Sequence, residues 1–175
     1  VTRCFVALER LATKGTHALI TLTQREKEEY LARRIGTPER MHPIFSGIDL
    51  QPYLSKQSDS QGIRAGVGLT PQDFVCITVA RLVEVKNHDL IVSAAALCAH
   101  RLPLIRFVLV GDGDLMQHLE QRVLSLGLFP HFLLLGWRSD IPALMSASDA
   151  FVMTASNEGM GRAFVEAQAS GLPVI

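Results

Sequence analysis

Apolar positions along the chain fall into two alternating patterns. Short, nearly continuous runs at 74–80, 107–110, 132–135 and 150–153 read as strands. Between them apolar residues recur at helical spacing: Leu90, Ala94 and Cys98 across 87–102, then Leu115, Leu119, Val123 and Leu126 up to Gly127. Ser139 or Asp140 is placed to cap a short helix, and a last helix over about 162–170 leads through Gly171 into an apolar end at 173–175. Strands that are apolar on both sides and separated by helices predict a parallel sheet covered on both faces. The expected fold is therefore α/β, a doubly wound, Rossmann-like parallel sheet.

The first part of the chain follows another plan. Cys4, Leu8 and Leu11 share a helical face, 18–22 reads as a short strand, and Thr23-Gln24-Arg25-Glu26 is a capping box opening a helix that ends at Gly36, before Pro38. Two helices and one or two strands cannot close a core alone, so 1–46 reads as the tail of a larger domain. The polar stretch 51–62 (QPYLSKQSDSQG) lacks a hydrophobic period and has linker composition, which sets a hinge and linker at 47–62 and a second domain at 63–175. Neither end looks native, and the sequence is expected to be a fragment.

Composition narrows the function. With 48% hydrophobic and 19% charged residues the chain suits a globular core, and its longest apolar stretch, 90–99, is too short for a membrane span. Lys plus Arg and Asp plus Glu both number 17, so nothing provides for tracking a nucleic-acid backbone. Cys4, Cys76 and Cys98 are odd in number, dispersed and in apolar sequence, which reads as reduced packing residues of a cytosolic protein without a zinc site.

In an open parallel sheet, ligands bind beyond the carboxyl ends of the strands. Those ends carry Arg81, then Gly111-Asp112-Gly113-Asp114, then Gly136-Trp137-Arg138, then Ala155-Ser156-Asn157-Glu158-Gly159. Gly159 and Gly161 flank the start of the last helix, where free backbone N–H groups and the helix dipole favour an anion. Arg81 and Lys86, five residues apart, can reach the same phosphates, unless they are only solvated surface cations. Glu158 and Glu166 are too far apart along the helix for a carboxylate dyad; a carboxylate deep in the helix suits vicinal hydroxyls, and one at the turn suits a sugar. An Arg162–Glu166 ion pair at i,i+4 is the plainer alternative.

Other patterns lead elsewhere. Met116 stands where a dinucleotide fingerprint needs its third glycine, which argues against NAD. Asp112-Gly113-Asp114 has DxD spacing, but capping by Asp114 explains it without a metal. His88 reads as a neighbour of a helix cap, and Trp137 equally as packing residue or stacking platform.

From about Ala80 onward the sequence resembles the retaining glycosyltransferases of family 4 (group 1), which have the two-domain GT-B fold. The resemblance rests on Ala80-Arg81-Leu82-Val83-Glu84-Val85-Lys86-Asn87, Leu109-Val110-Gly111-Asp112-Gly113, Gly136-Trp137-Arg138-Ser139-Asp140-Ile141-Pro142, and Asn157-Glu158-Gly159-Met160-Gly161-Arg162 running to Glu166-Ala167. Ser46-Gly47-Ile48-Asp49 is similar to the family's interdomain hinge, with Ser46 for the usual Asn; Ala80 likewise replaces a usual Gly, and Gly161 a frequent Pro or Phe.

The resemblance implies that 1–46 is the remnant of an acceptor domain and 63–175 most of the nucleotide-sugar donor domain. Glu158, Arg81 and Lys86 would be the catalytic set, with both cations on the donor diphosphate and Glu158 on the sugar. Gly159, Met160, Gly161, Glu166, Gly111, Trp137 and Arg138 would bind the donor, Glu166 through the ribose and the 136–138 turn at the base. Transfer of a hexosyl group from a nucleotide-diphosphate sugar, most readily a UDP-sugar, to a glycan, glycolipid or small-molecule acceptor would retain anomeric configuration and need neither metal nor other cofactor. The setting would be cytoplasmic polysaccharide or lipopolysaccharide assembly, with peripheral membrane contact through the missing domain and no nucleic acid. The fragment alone is expected to be inactive. A UDP-amino-sugar epimerase of the same fold and a non-catalytic nucleotide-binding module are the competing readings.

Overall fold

The structure is a computed structural model that describes residues 2–55 and 59–175. It divides into two compact units, Val1–Ile48 and Asp49–Ile175.

The first unit contains α1 (Thr2–Ala12), a 3-10 turn (Thr13–Gly15), β1 (Leu19–Thr21), α2 (Gln24–Ala32) and β2 (Met41–Pro43). β1 and β2 run parallel with Leu19 opposite Met41. The expected cap forms at α2 in a shifted version: the Thr23 hydroxyl accepts the Glu26 amide at 3.0 Å, and the Glu26 carboxylate accepts the Leu22 amide, one residue before the cap, at 2.6 Å. Leu8 and Leu11, expected on one helical face, are both exposed, and Cys4 is exposed where packing was expected.

The second unit holds a four-stranded parallel sheet in the order β5-β4-β3-β6, where β3 is Phe74–Val79, β4 Ile105–Val110, β5 Phe132–Gly136 and β6 Ala150–Phe151. Val174 bridges Phe151 in parallel, so the chain's last residues run beside β6. The helices are α3 (Gln51–Leu54), α4 (Ser60–Gly66), α5 (His88–Ala99), α6 (Met116–Ser125), α7 (Ile141–Ser146) and α8 (Arg162–Ala169). Period-two alternation divides each apolar strand between two cores. Cys76, Phe107, Leu109 and Phe132 pack with Ile91, Val92 and Ala95 of α5 and Leu119 and Val123 of α6. Val75, Ile77, Val108, Val110 and Phe151 face the other way, toward Leu144 and Met145 of α7 and Ala167 of α8. This is the doubly wound arrangement expected.

Three details differ from the sequence reading. The stretch read as linker carries α3 and α4, with Asp59 capping α4 through the Gly62 amide at 2.8 Å; residues 56–58 lie outside the described ones. Its few apolar side chains are spent well: Tyr53, and just beyond it Ile63 and Val67, pack against the second core. α5 buries Ile91, Val92 and Ala95 and leaves Leu90 exposed, because a helix apolar on most sides gives no unique face from spacing alone. Neither Asp114 nor Asp140 caps a helix: Leu115 precedes α6, and Asp140 makes no cap bond at α7.

Candidate functional site

The order β5-β4-β3-β6 reverses direction at β3. Successive strands are added on one side as far as β5, and the chain then crosses to place β6 on the other side. The exits of β3 and β6 therefore diverge around a crevice, the position where doubly wound sheets take ligands.

The β3 exit is a tightly held turn. The Ala80 amide bonds to Val110 O at 3.0 Å, and the Leu82 amide to Asp112 O at 2.9 Å. The Leu82 carbonyl accepts the Leu115 amide at 3.1 Å. This close approach needs Gly111 and Gly113, whose φ angles are +146° and +154° and whose missing side chains would overlap the Ala80 and Leu82 carbonyls. The Gly111 amide is engaged by Gly136 O at 2.9 Å, so this residue shapes the crest from behind instead of offering a donor group. Beyond the turn, Asn87 adopts the left-handed conformation at φ +51° and α5 begins at His88.

The β6 exit is laced to that turn. Thr154 donates to Asn87 O at 2.8 Å, and the Ser156 amide bonds to Val85 O at 2.9 Å. The Lys86 ammonium and the Glu158 carboxylate form an ion pair across the gap, with side chains 17% and 30% exposed. Gly161, at φ +61°, leads into α8, and its carbonyl accepts the Phe164 amide at 2.9 Å. The amides of Arg162 and Ala163, in the helix's first turn, have no intrahelical acceptor by geometry. Met153, Glu158, Gly159, Met160, Gly161 and Phe164 line a cavity of about 290 Å³ here. A larger hollow of about 680 Å³, lined by Arg10, Lys14, Arg34 and Arg40 among others, lies in the first unit.

Of the expected site residues, the cavity itself gathers Glu158, Gly159, Met160 and Gly161, with Lys86 joined to it through Glu158. Arg81 stands exposed at the β3 exit, its guanidinium without a partner among the described residues. Glu166 lies farther along α8, its side chain 12% exposed and 3.9 Å from Arg162, so the plain i,i+4 pair is present but long. Trp137, at the end of the outermost strand, is 74% exposed and so does not serve packing. Arg138 is held by Asp140 in two hydrogen bonds of 2.8 and 2.6 Å, and this guanidinium holds the Asp140 carboxyl below the usual range. The Asp112-Gly113-Asp114 run closes on itself, Asp112 accepting the Gly113 amide at 2.8 Å.

One residue escaped the sequence reading, and a second, His88, was read only as the neighbour of a helix cap. Tyr53 of α3 lies against the Glu166 carboxylate; burial and that negative neighbour push its phenol up to about 12. Its signal was hidden inside the apparent linker. His88 is 1% exposed, its Nε2 lying 2.9 Å from Arg81 O.

Burial lowers the His88 pKa from 6.5; the Arg81 carbonyl and Asp89 oppose the shift, and Lys86 reinforces it. Below about 6.5 the unfolded chain takes a proton that the folded state refuses, so stability is full above that pH and falls as pH drops toward the lowered value. The expected slope is at most about 1.4 kcal/mol per pH unit. Thermal melts of wild type and His88→Gln across this range check it, since the variant should lose this component of the slope.

Comparison with known proteins agrees with this architecture. The family described as Glycosyl transferases group 1 matches residues 59–175. The chain is 36% identical over 171 residues to the UDP-Gal:alpha-D-GlcNAc-diphosphoundecaprenol alpha-1,3-galactosyltransferase of Escherichia coli, covering 96% of this chain and 44% of that protein. It is 34% identical over 107 residues to a lipopolysaccharide core biosynthesis glycosyltransferase of Rhizobium meliloti, covering 61% of this chain and 30% of the relative. HepE of Anabaena, solved with UDP and glucose, superposes at a TM-score of 0.89 with 28% identity, over 99% of this chain and 48% of that one. The chain thus spans less than half the length of these relatives.

Proposed function

Because the chain belongs to the glycosyl transferases of group 1, we propose that its second unit binds the nucleotide-sugar donor of an enzyme transferring a hexosyl group to a glycan, glycolipid or small-molecule acceptor. The observation that carries this reading is the crevice at the β3/β6 switch point, where the Lys86–Glu158 pair meets the turn before α8 and Arg81 stands exposed at the β3 exit. The matched Escherichia coli galactosyltransferase uses UDP-Gal and HepE was solved with UDP, which favours UDP as the carrier.

In this reading the diphosphate lies over the first turn of α8, where unpaired amides and the helix dipole meet it, and Arg81 and Lys86 share its charge. Its arrival draws Lys86 from Glu158, leaving that carboxylate to accept hydrogen bonds from the sugar. Glu166 takes the ribose hydroxyls. As the glycosidic bond breaks, negative charge grows on the departing nucleoside diphosphate, and fixed cations and dipoles stabilise it most in the transition state. The acceptor hydroxyl attacks from the same face, with retention, its proton passing to the departing diphosphate oxygen that takes the electron pair of the broken bond, and the charge stabilisation comes from these groups without a metal. Among the described residues no helix is long and apolar enough to cross a membrane. In the proposed reading the enzyme works in the cytoplasm, at the inner membrane face where its acceptor is lipid-linked.

Calorimetric titration with UDP, GDP and ADP tests the reading. UDP is expected to bind most tightly, and Glu166→Gln to weaken it about tenfold, the loss of one charge-assisted hydrogen bond of about 1.5 kcal/mol. The same variant should no longer discriminate between UDP and 2′-deoxy-UDP. A folded chain that binds none of the three nucleotides sinks the proposal.

A further inference from the structure

We infer that His88 is a positioning residue for Arg81, holding through its imidazole the turn from which that guanidinium reaches the donor diphosphate. The inference rests on the phosphate role proposed for Arg81 and adds a group that does not itself meet the substrate.

His88 is the first residue of α5 and is 1% exposed. Its Nε2 lies 2.9 Å from the Arg81 carbonyl oxygen, which can only accept, so Nε2 carries the proton. Nδ1 is then an unprotonated nitrogen, buried and without a partner among the described residues. An imidazole in this place strands one polar atom, where leucine would fill similar space and strand none. What the histidine adds over an apolar residue is the bond to Arg81.

That bond falls where the turn has least other support. The Arg81 carbonyl also accepts the Val83 amide at 3.0 Å, a three-residue turn around Leu82. Leu82 is held on its amide and its carbonyl by 112 and 115, from the β4 side. Residues 85–87 are held by Thr154 and Ser156, from the β6 side. His88 adds a tie of its own, joining the start of α5 to the residue carrying the exposed guanidinium. A side chain fixed at its root loses less conformational freedom when it grips a ligand, so loosening the root weakens the grip without removing the charge.

The test compares binding of UDP and UMP to the full chain by calorimetry, the ratio of affinities reporting the hold on the diphosphate. Gln carries an amide nitrogen as far from Cβ as Nε2, whereas the Asn amide stops short. His88→Asn is expected to lower UDP affinity and the UDP-over-UMP ratio about tenfold, His88→Gln to keep both near wild type, and His88→Asn to add nothing in an Arg81→Ala background. A folded His88→Asn protein with the wild-type ratio, or one whose loss persists undiminished without the Arg81 side chain, overturns the inference and leaves the donor-site reading intact. Should Arg81→Ala itself keep the ratio, the phosphate role of Arg81 fails, and the inference with it. If His88→Asn does not fold, His88→Gln decides: a kept ratio supports the inference and a lost ratio in a folded protein overturns it.

Discussion

Arg81→Ala in the full-length protein is expected to lower kcat/KM for a UDP-sugar about 10²–10³-fold, with its melting temperature unchanged. The magnitude is that of removing one fixed group that meets charge as it develops, about 2.7–4 kcal/mol of barrier. Stability should hold because the Arg81 side chain is exposed and bonds to nothing among the described residues; the turn is secured through its backbone instead. Arg81→Lys keeps a charge but loses the planar fork, and should recover only part of the rate. Steady-state kinetics with a radiolabelled donor decide it. An alanine variant within threefold of wild type would show that this guanidinium stands outside the reaction.

The second large effect falls on folding. Arg64→Leu is expected to destabilise the second unit by about 3 kcal/mol, read from denaturant melts. Arg64 leaves α4 with a side chain 12% exposed and donates to Ala147 O at 2.8 Å, Asp73 O at 2.9 Å and Asp149 Oδ2 at 2.9 Å. The same Asp149 oxygen accepts the Val75 amide at 2.7 Å. One guanidinium thus joins α4, the approach to β3 and the approach to β6. Breaking a buried pair by removing one partner costs about 3–5 kcal/mol, and the low end applies because Asp149 is 35% exposed. Arg64→Lys supplies one point charge for three separated acceptors and should recover less than half of the loss. A leucine variant as stable as wild type would mean that water replaces these contacts freely.

Arg64 also marks the limit of what the residue string discloses. The strands around it were legible because burial on both faces leaves an unbroken apolar run, and the candidate end followed from topology: Arg81, Lys86 and Glu158 are visible in the segments after strand ends. Polar contacts between distant segments leave no such trace. Arg64 and Asp149 are 85 residues apart and Lys86 and Glu158 are 72 apart, and no periodicity links either pair. Tyr53 went unseen for a related reason, since a four-residue helix in polar sequence is too short for a hydrophobic period, although α3 packs on α8 beside Glu166. Arg138 adds a pairing that its place at a strand end did not announce: Asp140, two residues on, holds two of its N–H groups.

The pair of glycines at the β4 exit bears on how such an enzyme can diversify. With the Ala80 and Leu82 carbonyls filling the space where side chains at 111 and 113 would stand, that corner admits no residue larger than hydrogen without displacing the turn beneath Arg81. If the crevice takes the sugar donor as proposed, substitutions that alter its carbohydrate preference are accommodated on the opposite rim, where a Cβ at Gly159 would meet nothing within 4 Å. One side of the crevice is frozen by its own backbone, and the other is left open to drift and selection.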